Sequence, residues 1–307
     1  MADRDWEQDR NSRGKAYSFC TREHVSLEEL KEDSSVDQHY LKRKNIPRYP
    51  KPLVFNVSQV CHVTGETGVQ GIFSNGGFRL TQDQDQYLWW SLYVTDEDIS
   101  QAEDDFVDSL DFSWYNPSQQ PFLKNFTTSP TFQKKSRYGN FRFTFQLRRL
   151  LSLYSRQFCY KTSPVLRVLD TRFYKKEITY SILVHPRHIR KFQSYPRLPF
   201  DDPEVCGYSQ GSVTWCCQAP SDEYKHRLEV DEEDCEVYAT ELRGAQYFVW
   251  DHVAVAFYME PNWILSVNHE NLKQQVSVCE MCTPSLLREP DRPLSKSQAT
   301  EILNNLL

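Results

Sequence analysis

Between Phe55 and Leu80 the chain reads FNVSQVCHVTGETGVQGIFSNGGFRL, and this stretch constrains the fold more than any other. Strand side chains alternate with period two, so Val54, Asn56, Ser58, Val60, His62 and Thr64 share one face of a strand. Val69, Ile72 and Phe73 follow at the i, i+3, i+4 spacing of a short buried helical face. Gly76 and Gly77 stop that helix, one of them free to take positive φ. The expectation is strand, turn and helix, with His62 and Thr64 pointing the same way at the strand end. Such a polar pair suits a small-molecule site. It equally describes an ordinary strand–turn–helix unit with a satisfied core histidine.

The rest of the chain bounds what surrounds this unit. Its 307 residues are enough to bury a real core, as one large domain or two small ones. With 18 Phe, 17 Tyr and 7 Trp against 10 Gly, the composition is that of a packed globular chain. A net charge of −6 disfavours a non-specific grip on nucleic acid, so that partner is not expected. No apolar run is long enough to span a membrane, and the charged start MADRDWEQDRNSRGK has no secretory character. Nine cysteines without an export signal then imply reduced thiols and a cytoplasmic or nuclear setting.

Three regions are expected. Residues 1–48 read as a charged, flexible arm, with a helical segment at Ser26 to Glu32. Residues 49–195 form the core and 196–307 a β-rich extension, either separate or completing the same sheets. Tyr87 to Val94 reads as a buried strand, and Thr95 with Asp98 as a capping box. The helix it opens places Ile99, Ala102, Phe106 and Leu110 near one face. Leu147, Leu150, Leu151 and Tyr154 mark a further amphipathic helix. Val165 to Leu169 and Glu177 to Val184 are paired strand candidates. Ser212 to Gln218 and Gln246 to Tyr258 are further strands, with an acidic loop at Glu229 to Glu236 between them. The last helix, Ser297 to Leu307, carries the stripe Ala299, Ile302, Leu303 and Leu306.

Metal chemistry has weak footing. Cys279 and Cys282 form a single CxxC, and Cys216, Cys217, His226 and Cys235 do not complete a zinc module at any familiar spacing. No metal site is expected. Neither a Walker loop nor a dinucleotide fingerprint occurs.

The run H-V-T-G-E-T-G-V-Q-G-I-F-S-N-G-G-F resembles the first active-site motif of the diphtheria-toxin-like ADP-ribosyltransferases, the poly-ADP-ribose polymerase superfamily. His62, Thr64, Gly71, Ile72 and Gly76 fall on that motif's positions. Lys176-Glu177-Ile178-Thr179-Tyr180 resembles the family's later strand, which carries its catalytic glutamate. Between them, Phe126-Thr127-Thr128-Ser129 and Ser136-Arg137-Tyr138 look similar to the middle motif, with Tyr93 competing with Tyr138 for the stacking role. The resemblance spans about residues 54 to 190 and departs at Val63, where the family has Gly, and in a short interval from Tyr138 to Glu177.

The resemblance implies an α+β fold built on a split antiparallel β-sheet, with NAD as substrate. It implies mono-ADP-ribosyl transfer to a protein or other macromolecular acceptor. Its alternative is a catalytically inactive relative that serves as an interaction or ligand-binding protein. Glu177 would stabilise the oxocarbenium-like ribose, His62 would hold a ribose hydroxyl, and Tyr138 would stack on nicotinamide. His62, Val63, Thr64, Tyr138, Tyr93 and Phe126 would line the NAD site.

Overall fold

The computed structural model describes residues 6–10, 16–25, 53–80, 86–108, 135–174, 177–198, 205–217, 226–231, 236–241, 252–281, 287 and 290–307. Its strands are β1 (Glu7–Arg10), β2 (Ala16–Thr21), β3 (Leu53–Val57), β4 (Gln59–Thr64), β5 (Gly77–Arg79), β6 (Tyr87–Leu92), β7 (Phe141–Gln146) and β8 (Val165–Tyr174). They continue with β9 (Glu177–His185), β10 (Cys206–Ser209), β11 (Ser212–Cys217), β12 (His226–Asp231), β13 (Glu236–Glu241), β14 (His252–Tyr258), β15 (Ile264–Ser266) and β16 (Val276–Val278). The helices are α1 (Glu66–Asn75), α2 (Asp96–Asp108), α3 (Leu147–Phe158), α4 (His269–Gln275) and α5 (Lys296–Leu306).

Nine strands make one sheet in the order β1-β2-β8-β9-β14-β6-β4-β7-β16. Neighbours are antiparallel except β9 and β14, which run parallel. This is an α+β architecture with a large, mostly antiparallel sheet and few helices. Alternation builds the core. Tyr180, Ile182 and Val184 of β9, Val253, Val255 and Phe257 of β14, Leu88, Trp90 and Leu92 of β6, and Phe143 and Phe145 of β7 belong to one buried cluster. Val69, Ile72 and Phe73 of α1 and Leu150 and Tyr154 of α3 join it. Each such side chain, fully buried, contributes about 1.5–3 kcal/mol. A smaller cluster of Leu169, Leu183, Phe192, Ala256 and Tyr258 takes up the alternate positions of β9 and β14.

Several local expectations hold. α1 buries Val69, Ile72 and Phe73 and ends at Gly76, whose φ of 64° is left-handed. Thr95 and Asp98 form the reciprocal bonds of a capping box: the Thr95 N–H donates to the Asp98 carboxylate at 2.7 Å, and the Asp98 N–H to the Thr95 hydroxyl at 3.1 Å. α5 begins one residue earlier than expected, because Ser295 and Gln298 make a capping box of their own.

Other expectations change. The stretch leading to His62 is two strands in two sheets. β3 pairs with β11 and buries the odd positions Leu53, Phe55 and Val57, whereas β4 enters the nine-stranded sheet and buries Val60 and Cys61. The phase turns over at Ser58, whose carbonyl accepts the Leu147 N–H at 2.8 Å. A single alternating pattern cannot show such a slip, because one residue reverses the face of everything after it. Part of the expected arm is strand: β2 pairs with β8, and β1 pairs with β2 as the edge of the sheet. The C-terminal region completes the main sheet, since β14 lies between β9 and β6. Within the expected acidic loop, Glu229, Val230 and Asp231 belong to β12 and Glu236 to β13, which pair from His226 with Glu241 to Asp231 with Glu236, and residues 232–235 lie outside the described residues. The helix expected at Ser26 to Glu32, and Leu110, lie outside the described residues.

Candidate functional site

The site begins where β4 parts from β6. β4 pairs with β7 along its whole length, from Gln59 with Gln146 to Thr64 with Phe141. Its pairing with β6 covers only Val60 with Leu92 and Cys61 with Ser91. His62 stands at the fork. Its Nδ1–H donates to the carbonyl of Trp89 at 2.9 Å, a group on the strand that β4 has just left. The imidazole sits edge-on to Phe78 and tilted to Trp90, each 5.4 Å away between ring centres. Burial lowers its pKa, and the bond to Trp89 only partly opposes this, so the ring is neutral at pH 7. With Nδ1 carrying the proton, Nε2 is an acceptor.

Beyond His62 the chain is tightly enclosed. Thr64 lies against Gly68 of α1, where an added Cβ would stand 1.7 Å from the Thr64 hydroxyl oxygen. A Cβ on Gly139 would stand 1.9 Å from the Thr64 carbonyl oxygen. The N-cap of α1 is Gly65, which has no side chain to offer the free N–H groups. Asp291 supplies it instead: its Oδ1 accepts from the Thr67 N–H at 3.0 Å and from the Thr67 hydroxyl at 2.9 Å. The helix start next to His62 therefore already holds a carboxylate, which takes one of its free N–H groups and complements its dipole.

Val63 is half-buried and pairs with Arg142 of β7. The Arg142 guanidinium lies 5.4 Å from the ring centre of Tyr93, and its Nη2 reaches the Lys135 carbonyl. Cys61, on the same side of β4 as Val63, is buried, and burial pushes its thiol up to about 11, with Arg142 opposing. Tyr138 is 52% exposed, and its N–H donates to the Ser136 hydroxyl at 3.0 Å. Gly139, its neighbour, packs on the Thr64 peptide, so Tyr138 sits beside the end of β4. Phe126 lies outside the described residues.

Glu177 is elsewhere in the sheet. Reading across the strands, Cys61 pairs with Ser91, Ser91 with Ala254, and Ala254 with Ser181. Ser181 is thus level with Cys61, and β4 and β9 run in the same direction. Glu177 opens β9 opposite Tyr174 of β8. Its backbone lies five positions back from the level of His62, about 16 Å along the strand, and three strands away, about 14 Å across it. The structure brings His62, Val63, Thr64 and Tyr138 to one end of β4. Tyr93 lies at the other end, where its N–H donates to the Gln59 carbonyl at 2.9 Å, and the backbone of Glu177 opens β9 three strands away.

Asp291, Gly139 and Trp89 were not foreseen. Asp291 is bracketed by Pro290 and Pro293, a sign of a fixed turn, but nothing local ties it to Thr67. Cys279 of the CxxC donates its thiol to the Gly139 carbonyl at 3.4 Å, and Cys282 lies outside the described residues. No protein-family model, curated protein or solved structure matches the chain.

Proposed function

We propose that the chain carries an ADP-ribosyltransferase-like core that does not turn NAD over, and that it works as an interaction or ligand-binding module. The observation that carries this reading is the offset of Glu177 from His62. Cleavage of the nicotinamide–ribose bond needs a carboxylate at the developing oxocarbenium charge. The backbone that carries Glu177 starts β9 three strands and about five positions from the level of His62. A pre-aligned electrostatic partner supplies about 3–4 kcal/mol. The enclosure of Thr64 and the Asp291 carboxylate at the α1 N-terminus support the same reading, because that carboxylate repels a pyrophosphate. The motif residues that remain together, His62, Thr64 and Tyr138, then serve packing and recognition.

The test incubates the purified chain with labelled NAD and follows nicotinamide release and covalent label by mass spectrometry. Neither is expected. Nicotinamide release or an ADP-ribose adduct that disappears in Glu177→Gln overturns the proposal.

A further inference from the structure

From Phe112 to Leu169 the sequence holds ten Lys and Arg and no Asp or Glu, within a chain of net charge −6. The average therefore hides a strong asymmetry. At one end of the main sheet the fold sets Lys161 of this stretch beside the exposed Arg187, Arg190 and Arg197 from further along the chain. Val165 pairs with His185, so the turn before β8 and the loop after β9 leave the sheet side by side. The turn carries Tyr160 and Lys161, and the loop carries Arg187, His188 and Arg190, all exposed. Arg197 returns along β8, bridged to Arg167.

Tyr160 is the centre of this surface. It is 84% exposed, and its ring lies 5.3 Å from that of His188. Its φ is 51° and that of Lys161 is 62°. Left-handed backbone costs an L side chain about 1–2 kcal/mol per residue. The turn is nevertheless well held: the Lys161 N–H donates to the Ser155 carbonyl at 3.2 Å, and the Thr162 N–H to the Cys159 carbonyl at 2.9 Å. The Ser155 hydroxyl closes it on the Thr162 carbonyl at 2.8 Å. An aromatic ring is thus presented to solvent on a rigid, disfavoured backbone, against both its burial preference and its backbone preference.

Like charges crowd beneath it. Burial and the neighbouring Arg197 lower the pKa of Arg167. Lys191 belongs less to the surface: its ammonium bonds Gln86 and lies 4.3 Å from the Tyr258 ring centre, with Glu260 nearby.

We propose that this end of the sheet binds single-stranded nucleic acid, with Lys161, Arg187, Arg190 and Arg197 following the phosphates and the Tyr160–His188 pair offering a stacking face to a base. Cations beside an exposed, pre-set aromatic are what such binding uses. A phosphopeptide needs the cations but not the ring, and a membrane needs aliphatic neighbours that this turn lacks. RNA and DNA share the chemistry. The proposal is independent of the NAD reading, since none of these residues belongs to the β4 site.

Fluorescence anisotropy of the full chain tests it, with labelled oligouridine and oligothymidine of about 20 nucleotides, a duplex of the same length, and anionic phosphatidylserine vesicles. The single strands are expected to bind more tightly than the duplex or the vesicles, and to weaken steeply between about 50 and 200 mM salt. Preference for one oligomer identifies RNA or DNA as the source. Arg187→Glu with Arg190→Glu is expected to weaken binding about tenfold or more. Tyr160→Asn, which relieves the backbone while removing the ring, is expected to weaken it about 5- to 100-fold, and Tyr160→Phe to preserve it. All variants lie on the surface and are expected to melt like the parent chain. Absence of single-strand binding at low salt overturns the proposal. So does binding unchanged by the charge reversals, or duplex binding as tight as single-strand binding and indifferent to Tyr160→Asn.

Discussion

Asp291 caps a helix whose first turn lies 224 residues away in sequence, through paired bonds from the Thr67 N–H and hydroxyl to one carboxylate oxygen. Gly65 makes room for it, because a Cβ there would stand 2.2 Å from the other oxygen, Oδ2. Loss of an N-cap acceptor costs about 0.5–2 kcal/mol. Asp291→Ala is therefore expected to lower unfolding free energy by about 1 kcal/mol in urea titration. Gly65→Ala is expected to do the same by displacing the carboxylate. The double variant should cost less than the two added together, since both act on one contact. Strict additivity would refute the shared cap.

Gly139 is a sharper constraint. Its added Cβ would meet the Thr64 carbonyl oxygen at 1.9 Å and carbonyl carbon at 2.1 Å, both backbone atoms that cannot swing aside. Gly139→Ala is expected to destabilise by about 3 kcal/mol or more, read as a large drop in Tm or loss of soluble protein. A variant that melts within a degree or two of the parent would show that the two segments do not meet.

His185 should make stability depend on pH. It is 1% exposed, its Nδ1–H donates to the Pro186 carbonyl at 2.8 Å, and its Nε2 accepts from Arg167 Nε at 3.0 Å. Burial, with Arg167 and His188 adding, pushes its pKa down to about 4. The unfolded chain thus binds the proton more readily than the folded one between about 6.5 and 4. Unfolding free energy is expected to fall as pH drops through that window and to level below it. His62, also lowered by burial, acts with the same sign. His185→Phe is expected to be less stable at pH 7 but to show a shallower slope from pH 6.5 to 4. An unchanged slope would remove His185 from the account.

Tyr154 offers a cleaner single bond. Its hydroxyl donates to the Tyr258 carbonyl at 2.6 Å inside the core. Tyr154→Phe leaves that buried carbonyl without its donor at nearly constant shape, and about 1–3 kcal/mol of stability is expected to go with it. Denaturant midpoints of the two proteins, at equal m-value, measure it.

His62 separates packing from recognition. His62→Ala orphans the Trp89 carbonyl and opens space between Phe78 and Trp90. A loss of about 2–4 kcal/mol is expected by thermal or urea unfolding. A stability change under about 0.5 kcal/mol would mean the histidine is not held as described.

Much of the local architecture was legible because it is periodic or capped by near neighbours. Val69, Ile72 and Phe73, the αL Gly76, the Thr95–Asp98 box and the Leu147 to Tyr154 stripe each record a contact made within one turn. The α+β class, expected from the motif resemblance, is also what the structure has. The motif around His62 could be read, and its enclosure could not. Asp291 reaches Thr67 and Gly139 reaches Thr64 through chain paths that leave no pattern in either segment. The slip at Ser58 reversed a face that alternation alone carried straight through.

What the sequence determined by itself was therefore a subset of the elements, among them α1, the Thr95–Asp98 cap and the Leu147 to Tyr154 helix, and a histidine at the end of a strand. Only the tertiary structure decided that β14 enters between β9 and β6, which moves Glu177 away from His62. It likewise decided that Tyr160 meets His188 at the end of the sheet where basic residues gather. Strand order and register are set by burial summed over distant segments, and that sum has no local signature.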